Sequence, residues 1–139
     1  MPNKNEEEVV RRAPLFTALD DASASTLRAS MTAVKISKGQ TLFKEGDAGD
    51  RLFVVTDGKL KLGTTSSDGR ENLLSILGPG DMFGELSLFD PGPRTATATA
   101  VVDSKLLALA NDQVIDWVRA HPQVSLQLLG RLAQRLRKA

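Results

Sequence analysis

The chain has 139 residues, 41% of them apolar and 25% charged, with a net charge of +1. That is enough apolar material for one core and most simply one domain, without the basic excess that marks a nucleic-acid-binding chain as a whole. Cysteine is absent, which excludes disulfides, thiolate metal sites, cysteine-held iron–sulfur clusters and cysteine nucleophiles.

The opening MPNKNEEEVVRR is acidic and polar where a secretory signal needs an apolar segment, and no apolar run approaches the roughly 18 residues of a membrane span; the cytoplasm is the default compartment. EEEVVRRAPLF reads as a short helix stopped by Pro14, because the residue before a proline avoids helical angles. Asp20 or Asp21 suits the cap of a second helix, ASASTLRASM, with Leu27 and Met31 four apart on one face. From residue 32 the period changes to two. Apolar and polar residues alternate through VKISKGQTLFKEGDAGDRLFVVTDGKLKLGTTSSDGRENLLSILGPGD, and Lys38-Gly39, Asp57-Gly58 and Asp68-Gly69 supply the positive φ that hairpins need. Short strands at regular spacing predict a β-sandwich or barrel, to which TATATAVVDSKLLALA adds two strands.

The helical period returns at the end. Asn111 is a candidate N-cap, with Val114, Ile115 and Val118 on one face. Pro122 suits the first position of a last helix whose stripe is Val124, Leu128, Leu129, Leu132 and Leu136. The stripe is half of a dimer seam or packs on the strands; it is too short to decide. No stop signal follows Leu136, so the helix is expected to continue past Ala139. The lone histidine, His121, precedes a proline and reads as a helix-end residue, not a metal ligand. There is no nucleophile–base pair, Walker loop or metal cluster to suggest an enzyme.

One segment carries chemistry: FGELSLFDPGPRTAT, residues 83–97. A short helix starting near Gly84 would aim free backbone N–H groups outward, a ready anion site. Arg94 can add a forked, charge-assisted contact to phosphate oxygens, and Thr95 a hydroxyl and an N–H. Glu85 is repelled by an anion but can accept a hydrogen bond from a sugar hydroxyl, so the set describes a ribose phosphate. The same spacing also allows a structural Glu85–Arg94 ion pair with Gly84 merely turning the chain.

GDRLFVVTDGKLKL, SSDGRENLLSILGPGDMFGELSLFD and RTATATAV, followed by two helices, resemble the cyclic nucleotide-binding domains of the catabolite activator protein superfamily of bacterial regulators. DGRENLL and FDPGPRT are most similar to the cyclic-AMP-receptor-type regulators of actinobacteria. The resemblance implies a mainly β fold with flanking helices: a double-stranded β-helix, or jelly roll, of eight strands. It would comprise N-terminal helices over 1–31, the roll over 32–110 with a phosphate-binding cassette at 83–97, and a helix pair over 111–139. It implies that Glu85 holds the ribose 2′-hydroxyl, that Arg94 binds the cyclic phosphate with Thr95 and neighbouring Ala96, and that Gly84, Leu86 and Ser87 shape the turn. It places Phe83, Leu62, Leu74 and Ser75 along the pocket; Leu62 and Leu74 are equally readable as core. Arg135 corresponds to an arginine near the ligand, or is one of the basic residues that suit a helix C-terminus.

The implied protein is a non-enzymatic sensor for cyclic AMP, with cyclic GMP left open, and a homodimer through the last helix is compatible with it. The family's helix-turn-helix DNA-binding domain is absent from these 139 residues, so specific DNA binding is not expected of this chain by itself. The rival readings are a ligand-independent dimerisation module of the same superfamily and a stand-alone regulatory subunit.

Overall fold

The computed structural model describes residues 8–17, 19–84 and 92–138, with the backbone alone at 14, 15, 127, 128, 131, 135 and 138. Two short helices, α1 (Pro14–Thr17) and α2 (Asp21–Ala29), lead into the strands β1 (Thr32–Ile36), β2 (Thr41–Phe43), β3 (Arg51–Asp57), β4 (Leu60–Thr65), β5 (Glu71–Leu77), β6 (Met82–Phe83), β7 (Thr97–Ala100) and β8 (Ser104–Ala110). Helices α3 (Asn111–Ala120) and α4 (Gln123–Lys138) follow. The strands form two antiparallel four-stranded sheets, β1-β8-β3-β6 and β2-β7-β4-β5. This is the mainly β jelly-roll architecture expected.

Strands β3 and β8 show why the roll carries helices. Successive side chains of a strand face opposite ways. In β3, Leu52 and Val54 join one apolar cluster while Phe53 and Val55 join another; in β8, Leu107 and Leu109 separate from Leu106 and Ala108 in the same way. The first cluster holds Phe16, Leu27, Val114 and Val124 from the helices. The second lies between the sheets, with Leu60, Leu77, Phe83 and Ala98. A sheet covered on both faces needs apolar residues at consecutive positions, and FVV and LLAL supply them.

The turns follow the glycines. Gly39, Gly58 and Gly69 have φ of 83°, 95° and 88°. At Gly58 a Cβ would also stand 2.3 Å from Ser104 Oγ, which accepts from Lys59 N–H at 3.2 Å, so that hairpin has neither the angle nor the room for another residue.

The helix ends differ from expectation in detail. Residues 8–10 are helical, but Pro14 opens α1 as well as closing what precedes it, since a first-turn proline has no N–H to lose. Asp20, not Asp21, caps α2 by accepting from Ser23 N–H at 2.7 Å. Asn111 lies inside the first turn of α3; Ala110 is the cap residue, its N–H donating to Gln113 Oε1 at 3.2 Å. Ile115 is 40% exposed, and the covered face of α3 is Val114 with Trp117 and Val118. The α4 stripe divides: Val124 is buried, whereas Leu129 and Leu136 are exposed beside Leu126, which the stripe had omitted. The Leu128 side chain lies outside the described residues.

Candidate functional site

Arg94 occupies the middle of the site, and its backbone is tied before its side chain is. A turn after β2 closes with Asp47 N–H on Lys44 O at 3.0 Å, and the Asp47 carboxylate accepts from Lys44 N–H at 2.9 Å. From that turn Gly46 N–H donates to Arg94 O at 2.8 Å, and Arg94 N–H donates to Asp47 O at 2.6 Å. An antiparallel bridge between Ala48 and Pro93 continues the clamp.

The side chain enters the roll and is only 8% exposed. Nη2 donates to Arg51 O at 2.7 Å and Nη1 to Gly84 O at 3.2 Å. The guanidinium lies over Phe43, 4.3 Å from the ring centroid, with Phe53 at 5.8 Å. Phe43, Phe53 and Phe83 pack on one another at centroid separations of 5.4–6.1 Å. Gly84 is required twice over: its φ is 85°, and a Cβ there would stand 2.8 Å from Arg94 Nη1 and 3.0 Å from Arg51 O.

Among the described residues the seat holds a buried cation without a paired counter-charge. Burial holds the Arg94 pKa below the usual guanidinium value; Arg51 pushes the same way, while Asp50 and Asp47 oppose it. The group remains a cation, because a guanidinium does not lose its proton in proteins. Among the described residues no carboxylate is in ion-pair distance of it, and its buried Nε–H has no hydrogen-bond partner. Removing a cation from water without pairing it costs several kcal/mol. Two carbonyls and a ring face offset part of that; a forked anion would offset much of the rest.

The structure brings several expected residues to this place. Phe83 is buried on β6 opposite Phe53, and Gly84 touches the Arg94 guanidinium. Ala96 is 7% exposed and belongs with Leu62 and Phe83 to the cluster between the sheets. Leu62 faces Ser75 across the β4–β5 ladder and Ala98 across the β4–β7 ladder; it is buried, and Ser75 is half-buried. Thr95 is exposed. Leu74 stands apart: the β4–β5 register shifts between Leu62 and Gly63, opposite Leu74, and its side chain is 60% exposed. Glu85, Leu86, Ser87 and the expected helical turn lie outside the described residues, as does the Arg135 side chain.

Residue reading missed the seat itself: Phe43, Phe53, the Arg51 carbonyl and the turn around Gly46. The available signal was weak, since Phe43 and Phe53 look like any aromatic residue of an alternating strand. A cavity of about 230 Å³ lies elsewhere, against Val10, Phe16, Ala24 and Arg28, and shares no residue with the Arg94 seat.

The roll and its helices define a class of fold, and the comparison with known families agrees: residues 33–121 match the family described as "Cyclic nucleotide-binding domain", and the chain belongs to it. More narrowly, it is similar to CRP-like transcription regulators. The N-terminal domain of a transcriptional regulator from Streptomyces coelicolor A3(2) shares 58% identity over 94% of this chain and 91% of that one, with a TM-score of 0.78. The CRP-like cAMP-activated global transcriptional regulator of Mycobacterium tuberculosis is 43% identical over 95% of this chain and 59% of its own length. The catabolite activator protein of Thermus thermophilus superposes with a TM-score of 0.85 at 38% identity, over 91% of this chain and 59% of that one. The chain thus spans about three-fifths of the length of the curated regulators it matches.

Proposed function

We propose that these 139 residues form one effector-binding domain of a transcription regulator and that its ligand is cyclic AMP. The observation that carries this reading is the buried Arg94 guanidinium with an Nε–H lacking a protein partner among the described residues. A cyclic phosphodiester offers two acceptor oxygens to such a fork. Glu85 would accept from the ribose 2′-hydroxyl, Thr95 would add its hydroxyl and amide, and Gly84, Leu86, Ser87 and Ala96 would close the turn around the phosphate. Phe83, Leu62, Leu74 and Ser75 would line the base side, and Arg135 would approach from α4. Leu74 is too exposed to form a closed wall within one chain; a second copy or the ligand would have to cover it.

The role is recognition without catalysis, in the cytoplasm. Binding would alter the last helix and, through it, a DNA-binding domain outside this stretch. Such coupling requires that the ligand favour one arrangement over the other. Homodimerisation through α4 belongs to the same proposal. A thermal-shift series separates the ligands. Cyclic AMP at about a hundred times its Kd should add roughly 2.7 kcal/mol of stability, and 5′-AMP, whose phosphate does not close on the ribose, should add little. Equal shifts from both nucleotides, or none from cyclic AMP at millimolar concentration, would reject the assignment. The response to cyclic GMP decides base selectivity.

A further inference from the structure

Resting on the cyclic nucleotide reading, we infer that Phe43 is a positioning residue for the anion-binding arginine: its ring face sets the plane in which Arg94 presents its free edge. Arg94 Cζ is 4.3 Å from the Phe43 centroid. The second ring within reach, Phe53, lies farther from Arg94 at 5.8 Å and is approached by Arg51 at 5.2 Å. Phe43 is therefore the ring most closely engaged by Arg94. It packs against Phe53 and Phe83, and the β2–β7 register shifts between Thr41 and Phe43, an irregularity of the kind that re-aims a side chain.

The two carbonyl acceptors, Arg51 O and Gly84 O, fix one part of the guanidinium outline. A planar group held only there can still rock out of plane. A ring beneath it removes that freedom, and the negative face of the ring attracts a cation more strongly when both are shielded from water. Leucine fills similar space but has no such face. The remaining edge, which includes the buried Nε, is then already in one plane when a phosphate displaces what covers it, and less ordering is left to the binding step.

The test titrates cyclic AMP into the wild type, Phe43→Leu and Phe43→Tyr, and records the Arg94 Nε–Hε resonance of ligand-free protein near pH 6. We expect about tenfold weaker binding for Phe43→Leu, the size of an attraction of roughly 1.4 kcal/mol, with Phe43→Tyr within about twofold of wild type. The resonance should be moved upfield by the ring in wild type and Phe43→Tyr and return toward the other arginines in Phe43→Leu. Equal affinities for wild type and Phe43→Leu, equal losses in both variants, or an unshifted wild-type resonance would overturn the inference. If Phe43→Leu fails to fold, Phe43→Tyr and the wild-type resonance still decide. If the wild type ignores cyclic AMP, the ligand assignment fails, and the resonance alone judges whether Phe43 orders Arg94.

Discussion

A guanidinium that ends on two main-chain carbonyls and an aromatic face, with a carboxylate nowhere in ion-pair distance among the described residues, is held more for geometry than for stability. Replacing Arg94 by leucine measures the difference. The variant regains a desolvation cost of several kcal/mol and gives up two charged hydrogen bonds at roughly 1.5–3 kcal/mol each. These nearly cancel, so the thermal midpoint of the ligand-free protein should move by only a few degrees while the response to cyclic AMP disappears. A large drop in the midpoint would make Arg94 a structural residue. Gly84→Ala acts in the opposite sense. Its φ of 85° and a Cβ 2.8 Å from Arg94 Nη1 combine backbone strain with a displaced guanidinium. Chemical denaturation should show a loss of about 1–3 kcal/mol, and binding should weaken with it. Arg94 and Gly84 were legible because a Gly-Glu pair and an Arg-Thr pair share one short segment broken by prolines in a strand-rich chain. Phe43 was not, because a ring that packs a core and a ring that carries a cation leave the same mark in an alternating pattern.

Among the elements, those with a local cause were the readable ones. Positive φ at Gly39, Gly58 and Gly69 follows from the only residue type that adopts it freely, and so the hairpins were visible in Lys-Gly and Asp-Gly pairs. The α2 cap offered two neighbouring choices, while the single candidate for α3, Asn111, was one residue late. Whether Asp20 or Asp21 caps α2 depends on where the chain leaves the preceding turn, which tertiary packing sets. Asp20 prevails, and the Ser23 backbone N–H, the Ser23 side chain and the charge of His121 together hold its carboxylate below the ordinary value of 3.8. A depressed folded pKa gives stability that is complete above the unfolded value and is lost as pH falls through the folded one. Wild-type protein should therefore lose stability below about pH 4 more steeply than Asp20→Asn, which keeps an acceptor at the cap but cannot titrate. Thermal midpoints between pH 5 and pH 2.5 check this; parallel curves for the two proteins would show that the cap does not contribute to the acid limb.

At the scale of the molecule, three layers share one central sheet. Helices cover the face carrying Leu52, Val54, Leu107 and Leu109, and the second sheet covers the face carrying Phe53, Val55, Leu106 and Ala108. The Arg94 seat borders the inter-sheet layer, while α3 and α4 belong to the other one, and β3, whose Arg51 carbonyl holds the guanidinium, contributes residues to both. Outward from this frame α4 exposes Leu126, Leu129 and Leu136, spaced three and seven residues apart as in a helix–helix seam. If that face joins two copies, Leu129→Glu with Leu136→Glu should convert a dimer into a monomer in sedimentation velocity without lowering the monomer's helix content; a wild type already monomeric at high micromolar concentration would remove the seam from the account.

Isothermal titration of cyclic AMP into the wild-type chain and Arg94→Leu tests the central claim most directly. Saturable binding of one nucleotide per chain to the wild type, with no measurable heat from a folded Arg94→Leu variant, is the predicted result. Equal affinity in the two proteins, or a folded wild type that takes up no cyclic AMP, would contradict it.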